Sequence, residues 1–144
     1  MTLVVYELRD TKYQQLTSPE DFIVGAVRPH LLKYGSPTGT IYLQIQDSKG
    51  MLISQSQPLD VSTINAAAYW HGYQTFMINA SLKAGLDFRV ALVAGTYVFA
   101  EGNYIGWCNG FDLGKYPGSY PFPNGTAAPL DLEIWTAQEA KRGF

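Results

Sequence analysis

Cysteine occurs once in these 144 residues, at Cys108. A single thiol cannot close an internal disulfide, and it excludes paired-cysteine and four-cysteine metal sites, so packing has to hold the chain together. Charge is also scarce. Asp, Glu, Lys and Arg make up 15% of the chain, the net charge is −2, and the ten Lys and Arg are scattered from Arg9 to Arg142 without forming a block. That distribution lacks the electrostatic footprint of a nucleic-acid binder. No apolar run approaches the roughly 20 residues a membrane helix needs. Met1 to Arg9 has neither the basic leader nor the apolar stretch of a secretory signal. These absences give the expectation of a protein made in a cytoplasm and used without processing, with no nucleic acid or membrane as partner.

Catalytic signatures are missing as well. His30 and His71 are far apart and have neither H-x-x-x-H nor H-x-E spacing, so no zinc or hydrolytic centre is read from them. No G-x-S-x-G elbow is present. Cys108, in Gly106-Trp107-Cys108-Asn109-Gly110, matches no nucleophile signature and reads as a buried structural thiol. Asp60 and Asp112 could serve calcium with nearby carbonyls, but no Asp-rich loop surrounds them. The expectation is a non-enzyme without cofactor or metal.

What the chain does have is apolar and aromatic side chains, 47% and 14% of the residues, enough to close one core at this length. Their spacing is period two. Ile41, Leu43 and Ile45 alternate with Tyr42, Gln44 and Gln46, followed by Asp47-Ser48-Lys49-Gly50 and then Met51, Leu52 and Ile53, which reads as a hairpin with Gly supplying positive φ. A second pair of strands is read at Tyr73 to Asn79 and Leu86 to Val93, with Phe88, Val90 and Leu92 inward and Arg89 outward. Further strands are expected at Leu3 to Leu8, Phe22 to Leu32, Thr96 to Ala100, Tyr104 to Trp107 and Leu130 to Trp135. Pro29 removes a ladder donor and predicts a bulge or an edge position.

About eight or nine short strands at close spacing imply an all-β, antiparallel sandwich of jelly-roll type. It is read as a single domain over 1–144, with 1–13 an N-terminal arm or extra strand and 136–144 a C-terminal tail. Asp60 to Tyr69 offers one helical turn or a loop. Thr136 and Glu139 have capping-box spacing, so the tail is expected to hold a short helix.

The most unusual stretch runs from Gly110 to Pro129, where half of the eight prolines gather with Phe111, Tyr116, Tyr120 and Phe122. Aromatic rings on a stiff loop either cover one end of the core or meet a partner subunit or a sugar. Trp107 shares a face with Ile105 and reads as core. Trp135 shares a parity with Asp131 and Glu133 and reads as exposed. The candidate partner- or ligand-binding residues are therefore Phe111, Tyr116, Tyr120, Phe122 and Trp135.

From Gln14 to Trp135 the order of features resembles a broad family of jelly-roll modules of bacteriophage virion and tail proteins, related to carbohydrate-binding modules. Three places carry the likeness. Gly35-Ser36-Pro37-Thr38-Gly39 leads into Ile41-Tyr42-Leu43-Gln44-Ile45 and its turn. Trp70 and Phe76 precede Leu82-Lys83-Ala84-Gly85-Leu86-Asp87-Phe88. Ile105-Gly106-Trp107, the aromatic loop and Leu130-Asp131-Leu132-Glu133-Ile134-Trp135 resemble the closing strands. The resemblance implies a non-enzymatic particle component in the virion, either a head decoration or cement protein or a tail or fibre subunit. Its implied partners are other capsid or tail subunits and further copies of itself. A carbohydrate-binding module using the aromatic loop, with a glycan as partner, is the alternative.

Overall fold

The computed structural model describes residues 5–9, 11–64, 72–108, 130 and 132–143. Among them the chain is all-β apart from one 3-10 turn at Val61–Thr63 and one short helix, α1 (Ala137–Arg142). The strands are β1 (Val5–Glu7), β2 (Lys12–Thr17), β3 (Phe22–Pro29), β4 (Leu31–Tyr34), β5 (Thr40–Asp47), β6 (Leu52–Gln55), β7 (Leu59–Asp60), β8 (Phe76–Leu82), β9 (Asp87–Ala94), β10 (Tyr104–Cys108) and β11 (Leu132–Thr136). Every pairing among these strands is antiparallel. The strands outnumber the sequence expectation because the Phe22 to Leu32 segment divides at His30 and because β2 and the two-residue β7 are additional.

Three sheets form, in the orders β1-β10-β4, β11-β3-β8 and β2-β9-β5-β6, with β7 added beside β5. One chain path, β3 through His30 into β4, serves the first two, and their apolar sides meet that of the third in one core. Alternation decides which side chains enter it. Phe76, Ile78, Ala80 and Leu82 of β8 are buried while Met77, Asn79 and Ser81 between them are exposed. On the facing sheet Ile41, Leu43 and Ile45 meet Phe88, Val90 and Leu92 in the core of the β5–β9 pair. Trp107 and Cys108 are fully buried, as expected.

The Thr40 to Asp47 hairpin forms as read. Gly50 sits at φ +86°, and the Asp47 carboxylate accepts the Lys49 and Met51 N–H groups. The Met51 amide holds that carboxyl below its ordinary value. At the other end of the chain Thr136 and Glu139 form the capping box of α1, each side chain accepting the other residue's backbone N–H. Asp60 caps the 3-10 turn through the Ser62 N–H and hydroxyl.

Three expectations are corrected. The strands near 73–79 and 86–93 exist but do not pair with each other. β8 joins β3 and β9 joins β2 and β5, because the Lys83 to Leu86 connection crosses from one sheet to another instead of folding back. Pro29 is on a central strand, at its last residue, where a missing donor coincides with the break before β4. The irregularity in β3 is at Gly25, where the register shifts against both neighbours. Finally, Thr96 to Ala100 is not a strand. Gly95 and Tyr97 both donate backbone N–H to the Thr40 carbonyl, and the chain turns so that Tyr97 enters the core end-on.

The Tyr97 hydroxyl donates to the Leu8 carbonyl at 2.8 Å and accepts the Ile105 N–H at 3.1 Å. Burial pushes its phenol above the ordinary value, so the neutral hydroxyl is the form that makes both bonds. Gly25 matters for the space it leaves. A Cβ there would lie 2.5 Å from the Ala137 Cα, so the absent side chain is what lets α1 cross β3.

Both contacts can be tested by substitution. Tyr97→Phe leaves a buried carbonyl and N–H without their partner and should cost about 1–3 kcal/mol, read as a lower urea midpoint at unchanged slope. Gly25→Ala should lift α1 and cost about 1–3 kcal/mol, with faster amide exchange at residues 140–142 as its signature.

Candidate functional site

Phe111, Tyr116, Tyr120 and Phe122 lie outside the described residues, as do Trp70, His71 and Asp112. The described residues do show where those stretches are rooted. Cys108 ends β10 and donates its N–H to the His30 carbonyl at 2.9 Å. Leu130 donates its N–H to Gln14 Oε1 at 2.9 Å, and Leu132 pairs with Pro29. Gly72 accepts the Leu31 N–H at 2.9 Å. The 109–129 stretch therefore departs beside His30 and the chain is back beside Pro29 by Leu132, while the 65–71 stretch re-enters against Leu31.

Trp135 is half-buried and belongs to a polar cluster on the outer face of β11-β3-β8. Strand register brings Glu133 opposite Arg28 and Trp135 opposite Ala26. Glu133 is only 6% exposed, and one of its oxygens, Oε1, accepts both Arg28 Nη1 at 2.8 Å and Trp135 Nε1 at 3.0 Å. Arg28 Nε donates to the Thr75 hydroxyl, and its guanidinium lies 5.8 Å from the Tyr73 ring, which in turn stacks on His30 at 5.0 Å. A carboxylate held by two donors on one oxygen is fixed in place and charge-compensated. Chemically the cluster is a brace, orienting the indole and holding β11 to β3.

A surface groove of about 660 Å³ lies on the same side of the fold. It runs where β6 and β8, the edge strands of two sheets, come together without a ladder between them. Ser54 and Gln55 line one bank, Met77 and Asn79 the other, and Ala137 and Ala140 of α1 close the end. Ile23 and Met77, at 49% and 55% exposure, stand at its rim. The adjoining hairpin exposes Met51, Leu52 and Ile53 in succession.

An aromatic ladder on the opposite end of the β3–β4 path has no counterpart in the sequence expectations. Tyr34 and Tyr104 are partners in register; their rings stack at 5.2 Å and 19°, Phe99 follows at 5.5 Å, and the Arg9 guanidinium covers Phe99 at 4.2 Å. Positions 34, 99 and 104 form no sequence motif, and pairing across strands is what joins them. By contrast, side chains on the outer face of β2-β9-β5-β6 contact one another. Gln46 donates to Gln44, Gln44 donates to Gln55, and Arg89 lies 4.2 Å from the Tyr13 ring.

Asp60 is engaged as a helix cap, and among the described residues no group of three or more His, Cys, Asp or Glu is placed to hold a metal. No helix among them is long and apolar enough to cross a membrane. Comparison of the chain with family models, curated proteins and solved structures finds no match.

Removing one partner from the buried pair tests the brace. Glu133→Ala should cost about 2–4 kcal/mol, since Arg28 loses its carboxylate partner in a partly buried site, and the released indole should shift the tryptophan emission to the red.

Proposed function

We propose that this chain is a non-enzymatic structural component of a bacteriophage particle, a head decoration or cement protein or a tail or fibre subunit, present in several copies and acting through protein–protein contacts. The observation that carries this reading is the apolar rim of the β6–β8–α1 groove together with Met51, Leu52 and Ile53 on the neighbouring hairpin. Contiguous exposed apolar side chains next to strand edges are costly to leave in water and suit burial against another protein. The resemblance of the Gly35 to Asp47 and Ile105 to Trp135 segments to phage jelly-roll modules supplies the particle context.

Two measurements test the proposal. Mass photometry and sedimentation should show an oligomer that Met77→Asp combined with Ile23→Asp converts to monomer at unchanged unfolding midpoint. Antibody against the chain should label density-purified virions of the phage that encodes it. A monomer at all concentrations, or a chain missing from purified particles, contradicts the proposal.

A further inference from the structure

We infer that the open face of Tyr34 is a binding site for an uncharged saccharide, a ligand that stacks its C–H face on the ring and completes the Tyr34–Tyr104–Phe99 ladder. Tyr34 has one ring face against Tyr104 and is still 55% exposed, so the other face looks into solvent. A flat ring with few rotatable bonds binds at low entropic cost if its orientation is already set.

The surrounding turns set it. Gly35, at φ +72°, abuts the Gly102 carbonyl so closely that no Cβ fits. The Ser36 N–H donates to Asn103 Oδ1 at 2.8 Å, while Ala100 and Asn103 exchange backbone hydrogen bonds. The 34–36 and 100–103 turns are thus locked to one another, and the ring they carry is locked with them.

Chemistry narrows the ligand. The exposed Asn103 side chain, anchored beside Tyr34 by accepting the Ser36 N–H on Oδ1, carries an amide NH2, a donor type that recognises hydroxyl groups. Local charge disfavours phosphate: Arg9, the cation of the ladder, is offset by Glu7 at 3.1 Å and Glu101 at 3.6 Å, which leaves these three side chains one negative charge in excess. The far end of the ladder is already capped by the Arg9 guanidinium on Phe99, so Tyr34 is the end left for a ligand.

The experiment is a titration of the full chain, carrying ¹³C-labelled tyrosine rings, with maltohexaose, chitohexaose or laminarihexaose to about 10 mM, the range of a weak single-ring contact. The Tyr34 ring resonances should shift in a saturable way with at least one of the three. Binding should be insensitive to added salt, because no ion pair forms. Tyr34→Leu, which keeps apolar bulk without a flat face, should weaken that binding by about tenfold or more, whereas Tyr34→Phe and Tyr34→Trp should keep it. Three results overturn the inference: no Tyr34 shift with any of the sugars, sugar binding unchanged in Tyr34→Leu, or a larger Tyr34 response to L-arginine methyl ester than to every sugar, which would mark a cation site.

Discussion

Where strands end against the core, backbone N–H and C=O groups lie in an apolar interior beyond the reach of the ladders, and each must find a partner there. Ladder bonds supply partners along the strands; at the strand ends side chains take over. Tyr97 serves both Leu8 and Ile105 with one hydroxyl. Ser56 accepts the Leu43 N–H and donates to the Gln57 carbonyl. Gln14, buried on β2, accepts the Leu130 N–H and donates to Gln15. Without these three residues the apolar faces would still attract each other, but the sandwich ends would hold unsatisfied polar groups costing as much as several buried methylenes contribute.

That division of labour explains what is legible in the sequence. Alternation reports which side of a strand faces the core, so Ile41, Leu43 and Ile45 and again Phe88, Val90 and Leu92 are readable, and capping geometry is local enough that Thr136 and Glu139 identify α1. Partner choice is not local. The segments around Phe76 and Phe88 read as neighbours because they are close in sequence, yet β8 and β9 sit in different sheets. Alternation around Tyr97 looks like a strand because a buried plug and an inward-facing strand residue leave the same mark. Pro29 points to a bulge that is actually at Gly25, where the deciding contact is with Ala137, 112 positions further on.

The candidate surfaces divide in the same way. Trp135 is readable as an unusual aromatic among acids, and Glu133, which holds its indole, stands only two positions earlier in the chain. The Tyr34 ladder is not readable, because its members come from β4, the turn before β10 and the start of β10, and only the antiparallel register stacks them.

The two open surfaces also stand in a fixed relation. Ile23 at the groove and Tyr34 at the ladder belong to one chain path, β3 and β4, separated by at most roughly 35 Å at the rise of extended backbone. Between them that path is held on both sides along β3, by β11 and β8, and by β10 along β4, with the Arg28–Glu133 pair fastening its middle. Ladder bonds along both strands therefore set the distance between the groove rim and the aromatic ladder. In the assembly and the sugar contact proposed above, Ile23 and Met77 would seat the neighbour and Tyr34 would stack the sugar, and because no residue belongs to both surfaces the two proposals can be tested separately in the same chain.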